Sequence, residues 1–248
     1  MFTRLVTCLI ASLGFTFAAM AAEIKVLAPN AAKESVTEAI SVFESTTGHK
    51  VSISWSGTEA ITKRVADGEA VDVVVNAVQN IERQSKEGKL AAATRTDFAK
   101  SGIGVAVPSS VARIDVATQD ALRNALLSAK SVVVSSGTSG RHMVEVFAKL
   151  GIGEQVKAKT KQPPSGAQIA DFLAAGDADI GFQQISELLH AKGINYLGPV
   201  PVDFQNYTTY SAAISEGSAN ADIAKALLAA LRAPSTQAIV RASGMEPI

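Results

Sequence analysis

The loop from Ser135 to Gly140 is the part of this sequence best suited to chemistry. It reads Ser-Ser-Gly-Thr-Ser-Gly, follows an apolar strand and opens a predicted helix at Arg141. Hydroxyls and free backbone N–H groups at the start of a helix bind carboxylates and other oxyanions. We therefore expect Thr138, Ser139 and Gly140 to contact a small anion.

Arg141 lies in the first turn of that helix, where a positive charge opposes the helix dipole. A guanidinium in this position can hold a carboxylate through two parallel hydrogen bonds. The sequence therefore predicts an anion contact at Arg141. A solvent-facing arginine, or a salt bridge between the two lobes described below, is the alternative interpretation.

Two Ser-Gly pairs provide a second set of candidate contacts. Ser56-Gly57 is followed by Thr58, and Ser165-Gly166 stands at the equivalent place in the second half of the chain. Ser and Thr before a helix cap its free N–H groups, and the same groups can contact an anion. We predict that Ser56, Gly57, Thr58 and Gly166 line a ligand site.

Neutral amide side chains follow two apolar strands. Asn76 and Gln183 each lie four residues after an aspartate, Asp72 and Asp179. Open α/β sheets bind ligands at the carboxyl ends of their strands, so both amides are predicted contacts, with loop-stabilising hydrogen bonds as the alternative. The two aspartates are interpreted as structural. Asn30, in the loop after the first strand, is a further candidate donor.

A base for proton-transfer chemistry is difficult to assign. Glu59 and His142 are the candidates, and neither has a partner that can be read from the sequence. The three histidines are scattered and the only cysteine is Cys8, so we predict neither a metal site nor a cofactor. No segment resembles the nucleophile elbow of serine hydrolases.

These candidate loops occupy equivalent positions in two similar halves. Residues 56–76 read SGTEAITKRVADGEAVDVVVN and residues 165–183 read SGAQIADFLAAGDADIGFQ. A strand, a polar loop and a helix precede each segment. Two such halves usually form two lobes with a ligand cleft between them. A chance similarity of two α/β patterns is the alternative.

Strands alternate with helices along the chain, which predicts an α/β fold. We expect the chain to cross between the lobes twice, near residues 107–110 and near residues 206–211. Lobe 1 then comprises residues 23–107 and 209–248, and lobe 2 comprises residues 108–208.

The composition is that of an ordinary α/β protein, with 47% hydrophobic and 5% aromatic residues among 248. Lys+Arg and Asp+Glu both number 23, so the charge balance predicts no nucleic-acid partner. The N-terminus has the pattern of a secretory signal peptide: a basic residue, Arg4, then an apolar stretch from Leu5 to Ala18, then Ala-Met-Ala at residues 19–21. We predict a signal peptide at residues 1–22, a periplasmic location and no stable membrane insertion, with a retained anchor as the alternative.

The order of the motifs resembles the periplasmic molybdate-binding family, the solute-binding subunits of ABC importers. The resemblance runs from about Ile24 to the C-terminus, through KVLAPNAAKESVTEAISVFESTTGHKV, SGTEAITKRVADGEAVDVVVNA, GVAVP, GTSGRHMVEVFAKLGI, GDADIGF and YTTYSAAI. It implies a type II periplasmic binding protein fold, in which two α/β lobes joined by a hinge close on an oxyanion. It also implies an ABC permease as the partner.

The ligand positions of that family are only partly matched. Ala31 aligns where the family usually carries a serine after the first strand, and we keep it as a predicted contact position. Thr58 retains a hydroxyl, but Glu59 is beside it. Gln183 or Gln184 aligns with the family's tyrosine. The order of the motifs therefore matches that of the family, while most of the side chains specific to molybdate differ.

Three functions remain open from the sequence. The first is a solute-binding protein that closes on a small anion, with Ala31 and Arg141 favouring an organic acid. The second is an enzyme similar to aconitate isomerase, a relative of this fold that shifts a double bond in a tricarboxylate. The third is a molybdate or tungstate carrier that uses backbone amides in place of the missing serines.

Overall fold

The computed structural model describes residues 21–248, so the predicted signal segment, with Cys8, lies outside the described residues except for its last two positions. The strands are β1 Glu23–Pro29, β2 Lys50–Ser56, β3 Val73–Ala77, β4 Thr96–Ser101, β5 Ile103–Pro108, β6 Val132–Val134, β7 Thr160–Lys161, β8 Ile180–Gln184, β9 Ile194–Pro199, β10 Thr208–Ile214 and β11 Glu246–Pro247. The helices are α1 Lys33–Thr47, α2 Thr58–Ala66, α3 Val78–Lys86, α4 Gln119–Ser128, α5 Thr138–Lys149, α6 Gly153–Lys157, α7 Ile169–Ala174, α8 Ile185–Leu188, α9 Ala221–Ala230 and α10 Pro234–Ala242. None of the helices in residues 21–248 has the length and apolar character needed to cross a bilayer.

The strands form two mixed sheets, each at the centre of one lobe. The first sheet has the order β11-β4-β10-β3-β1-β2, and the second has the order β7-β6-β8-β5-β9. Apolar side chains form a separate core in each lobe, around Phe43 and Tyr210 in the first and around Phe147 and Phe182 in the second. The sequence prediction of an α/β fold with two lobes is confirmed.

The two lobes repeat one topology, as the sequence repeat predicts. β1 pairs in parallel with β2 and β3, and β6 pairs in parallel with β7 and β8. The aspartates that precede β3 and β8 have equivalent roles, because Asp72 accepts a hydrogen bond from the amide of Lys25 at 2.8 Å and Asp179 accepts one from Lys130 at 2.6 Å. These contacts fit the structural role expected of both aspartates.

The first crossing between the lobes differs from the sequence prediction. β4 belongs to the first sheet and β5 to the second, so the chain crosses at Gly102 rather than near residues 107–110. Thr96–Ser101 forms the last strand of lobe 1 before the crossing, and Ile103–Pro108 belongs to lobe 2 rather than to the predicted lobe 1. The return crossing lies between the end of β9 at Pro199 and the start of β10 at Thr208, so the predicted range of residues 206–211 overlaps its end and continues into β10.

Gln205 joins the two crossings to each other. Its Oε1 accepts a hydrogen bond from the amide of Ile103 at 2.6 Å, and its Nε2 donates to the Ile103 carbonyl at 3.0 Å. Gly102 lies against the same side chain, since a Cβ at that position would be 3.0 Å from Gln205 Cδ. The hinge is therefore a pair of adjacent segments that one amide side chain holds together.

Candidate functional site

A cavity of about 50 Å³ lies between the two lobes, at the carboxyl ends of the strands. Lobe 1 contributes the loops after β1 and β2, and lobe 2 contributes the loops after β6 and before α7. Nine of the twelve predicted contact residues line this cavity: Asn30, Ala31, Ser56, Gly57, Thr58, Thr138, Ser139, Gly166 and Gln183. Gly140, Arg141 and Asn76 do not border it.

The N-termini of α2 and α5 approach the cavity from opposite lobes. Their N-cap residues are Gly57 and Gly137, which have no side chain to cap the helix. The amides of Thr58, Thr138 and Ser139 have no hydrogen-bond acceptor within residues 21–248. Because these residues line the cavity, their N–H groups are available to a bound anion.

Hydrogen bonds between the lobes surround the cavity. Asn30 Nδ2 donates to the Gly166 carbonyl at 3.0 Å, and the Ala60 amide donates to Ser165 Oγ at 3.2 Å. Gly57 lies so close to the second lobe that a Cβ there would be 2.2 Å from Ser165 Oγ. The lobes are therefore in direct contact around the site, and the two Ser-Gly pairs of the sequence repeat meet each other.

Gly140 has a conformational role rather than a place in the cavity wall. A Cβ on this residue would be 1.6 Å from the carbonyl oxygen of Ser135. Its amide donates to Ser135 Oγ at 3.1 Å, and Ser135 Oγ is 2.9 Å from Ser139 Oγ. The glycine thus allows the anion loop to fold tightly onto the first turn of α5.

Arg141 occupies the alternative position that the sequence left open. Its Nη1 donates to Glu59 Oε1 at 2.8 Å, which makes a salt bridge between α5 of lobe 2 and α2 of lobe 1. The Arg141 side chain is 52% exposed, and neither residue lines the cavity. The ion pair lies at the rim of the cleft, so the prediction of Arg141 as an anion clamp and of Glu59 as a base lacks structural support.

Replacement of Arg141 by alanine should change anion affinity by less than about fivefold, because an exposed ion pair contributes about 0.2–1 kcal/mol. Titration calorimetry of Arg141→Ala and Glu59→Gln against the parent chain measures this. A loss of more than about tenfold in Arg141→Ala alone would show a direct contact with the anion instead.

His142 and Asn76 also contribute to the framework. His142 Nε2 is 2.8 Å from the Phe204 carbonyl, within lobe 2, so this second candidate base points away from the cavity. Asn76 is fully buried, and its Nδ2 donates to the Thr58 carbonyl and to Thr62 Oγ1, both at 3.1 Å. Asn76 therefore positions the N-terminal turn of α2, which is the hydrogen-bonding alternative considered for it.

Gln183 borders the cavity and organises the loop before α7. Its Oε1 accepts a hydrogen bond from the Ile169 amide at 2.9 Å, and its Nε2 donates to Glu187 Oε1 at 2.8 Å. The amide thus connects the end of β8 to a carboxyl group one helical turn further along.

Glu187 is an ionisable residue of the cavity wall that the sequence reasoning missed. Burial raises the pKa of its carboxyl from 4.5 to about 8, although the side chain keeps some accessible area where it borders the cavity. Tyr210, also in the wall, is fully buried; burial and the nearby charge of Glu187 raise the pKa of its hydroxyl well above 10. The only signal in the sequence is the spacing of four residues between Gln183 and Glu187.

Comparison with known proteins places the chain in a family. The model of the bacterial extracellular solute-binding proteins matches residues 24–246. The chain belongs to this family. Its predicted resemblance to periplasmic solute-binding proteins is thereby confirmed.

Two curated relatives match nearly the whole of this solute-binding protein. Aconitate isomerase of a Pseudomonas species is 29% identical, with 100% of this chain and 98% of the relative aligned. The molybdate-binding protein ModA of Azotobacter vinelandii is 30% identical, with 98% of this chain and 96% of the relative aligned.

Solved structures support the type II periplasmic binding protein fold. The periplasmic molybdate-binding protein of Azotobacter vinelandii aligns with a TM-score of 0.75 at 19% identity, over 90% of this chain and 98% of that chain. The sulfate-binding protein SubI of Mycobacterium tuberculosis aligns with a TM-score of 0.71 at 19% identity, over 92% of this chain and 87% of that chain. The predicted fold class is confirmed.

Proposed function

We propose that this solute-binding protein closes its two lobes in the periplasm on one small organic anion and delivers it to an ABC permease. The observation that carries the proposal is the convergence of two helix N-termini, from opposite lobes, on one cavity. The amides of Thr58, Thr138 and Ser139 supply donors from both sides, so the anion itself joins the lobes.

The hydrogen-bond donors around the cavity favour binding of a fully ionised anion. Hydroxyls of Ser56, Thr58 and Ser139 stand beside the free amides, and the lining in the described chain includes no Lys, Arg or His. Helix N-termini carry a partial positive charge, so they stabilise an anion without a formal cation.

The size of the closed cleft favours a small ligand. A cavity needs roughly 10–15 Å³ to hold one water molecule, so about 50 Å³ accommodates about four groups of that size. A short carboxylate or a tetrahedral oxyanion fits, whereas a tricarboxylate requires the lobes to separate further. Ala31 replaces a serine donor with a buried methyl group, and the carboxyl of Glu187 can pair with a carboxylate, which together favour an organic acid.

The second candidate is an isomerase acting on an unsaturated tricarboxylate. Glu187 favours it, because a cavity-lining carboxyl with a pKa of about 8 can exchange a proton at neutral pH. The carboxylate would remove an allylic proton, the electron pair would move so that the double bond shifts by one carbon, and the same proton would return to the far carbon. The relative named aconitate isomerase agrees with this chemistry.

Thermal-shift screening of residues 23–248 tests the proposal. The panel contains molybdate, tungstate, sulfate, and mono-, di- and tricarboxylates that include cis- and trans-aconitate. An anion at 100 times its Kd stabilises the fold by about 2.7 kcal/mol, which raises the Tm of a chain of this size by about 5–10 °C.

A shift with a short carboxylate supports the organic-acid carrier, and a shift with molybdate or tungstate alone contradicts the organic class. No shift with any anion contradicts the proposal as a whole. Ultraviolet absorbance of the aconitate mixtures over time distinguishes conversion from binding.

A further inference from the structure

Glu187 faces an anion site without a cation to balance it. Its carboxyl borders the cavity, and Oε1 accepts a hydrogen bond from Gln183 Nε2 at 2.8 Å. A hydrogen bond from the Gln168 side chain lowers the pKa of this carboxyl, but the effect of burial is larger and raises it. No Lys, Arg or His within residues 21–248 forms an ion pair with it. The surrounding donors, among them the amides of Thr138 and Ser139, converge on the same small space.

An ionised Glu187 would oppose the function of the cavity that it lines. Two negative charges a few ångströms apart in a space of low dielectric repel each other by several kcal/mol. A neutral carboxylic acid in the same place removes the repulsion and adds one O–H donor to the hydroxyls and amides already present. Burial raises the pKa of this carboxyl to about 8, so the neutral form predominates at pH 7.

We propose that Glu187 meets the bound anion as a neutral carboxylic acid and donates its proton in a hydrogen bond to the anion. The inference rests on the proposed function, since it describes how the same cleft contacts its ligand. No covalent bond is formed or broken; the chain takes up one proton from solvent when an anion binds to the ionised form of Glu187.

Other ionisable groups lie on the elements packed against Glu187 or close to it in the chain. These groups are Tyr210 on β10, Lys33 and Glu34 on α1, His190 just after α8, and Asp171 on α7. His190 Nδ1 is 3.3 Å from Glu34 Oε1, so these two residues interact with each other at the surface. Lys33 and Asp171 are exposed, and the Tyr210 hydroxyl stays protonated over the range tested because burial raises its pKa.

The affinity for the anion should fall as the pH rises, because binding is linked to the proton on Glu187. Binding is strongest below the pKa of Glu187, where the donor is already present. Above that pKa each anion must bring a proton with it, so affinity falls by about tenfold per pH unit. With a pKa of about 8 for the free protein, the Kd should rise about tenfold between about pH 7 and about pH 9.

The experiment measures Kd by calorimetry at about pH 7 and about pH 9 for the parent chain, Glu187→Gln and Glu187→Leu. The probes are malonate, trans-aconitate and molybdate, which are fully ionised over this range. The ratio of the Kd at about pH 9 to the Kd at about pH 7 should be about ten in the parent chain. It should be about one in Glu187→Gln, because the glutamine is a neutral donor at both pH values. Glu187→Leu has no donor and should bind about tenfold more weakly than Glu187→Gln at pH 7.

Glu145→Gln is the matched control, because it removes an exposed carboxyl from α5. Its ratio of Kd values between the two pH conditions should equal that of the parent chain. Repeating the parent titration in buffers of different ionisation enthalpy should show uptake of about half a proton per anion at about pH 8. An unchanged ratio in Glu187→Gln, equal weakening by Gln and Leu, or no proton uptake would overturn the inference. If the parent chain binds none of the three probes and no other anion of the thermal-shift panel, the proposed function itself has failed.

Discussion

Gly57→Ala is expected to weaken anion binding by about 100-fold, which is about 2.7 kcal/mol, while each lobe keeps its stability. The added methyl group would be 2.2 Å from Ser165 Oγ and 2.4 Å from the Gly166 amide, both in the opposite lobe. The backbone of Gly57, at φ −85° and ψ 156°, is open to alanine. The substitution therefore acts on closure of the lobes and on nothing within either lobe.

Calorimetry gives the loss of affinity, and small-angle scattering with saturating anion shows whether the lobes still close. Gly153→Ala is the matched control: it adds the same methyl group within lobe 2, where the nearest atom, Ala148 Cα, is 3.3 Å away. Gly57→Ala with parental affinity would show that binding does not require the contact between Gly57 and Ser165. A large fall in its Tm would show that the residue supports the fold instead.

Gly140→Ala is expected to lower the free energy of unfolding by about 3 kcal/mol and to abolish anion binding. The new Cβ would be 1.6 Å from the Ser135 carbonyl oxygen, a backbone atom that cannot move without reshaping the loop. Because Ser135 also supports Ser139 and the amide of residue 140, the donors of α5 would lose their arrangement.

Urea unfolding gives the change in stability, and the melting shift with anion gives binding. Ser136→Ala is the matched control: it alters the same loop without adding volume, and it should unfold within about 0.5 kcal/mol of the parent. A stable Gly140→Ala chain that still binds its anion would contradict the structure of this loop.

The sequence predicted the parts of this molecule that depend on repetition and on local pattern. The two Ser-Gly pairs and the similar segments that follow them indicated two lobes, and the structure brings Gly57 and Ser165 into contact. Loops at strand ends were expected to surround a cleft, and nine of the predicted contacts line it. The position of these loops is readable from the sequence because strand-to-helix connections in α/β folds open toward one edge of the sheet, whereas their contact with a ligand stays a prediction.

The direction of individual side chains could not be predicted. Arg141 follows the anion loop directly, yet the rotation of α5 turns its side chain to the rim and to Glu59. Glu187 resembles a surface residue of a short helix in the sequence, and only the packing of α8 against the cleft buries its carboxyl. Both outcomes depend on tertiary packing, which a hydrophobic pattern does not encode at the level of one side chain.

The most direct test of the central claim, that the N-termini of α2 and α5 bind an anion together, is an amide NMR titration. The ¹⁵N-labelled chain of residues 23–248 is titrated with the anion that gives the largest thermal shift. We expect the amide signals of Thr58, Thr138 and Ser139 to move downfield together, with one shared affinity, because each amide donates a new hydrogen bond to the anion. Shifts confined to one lobe, or to residues outside the cleft, would contradict it.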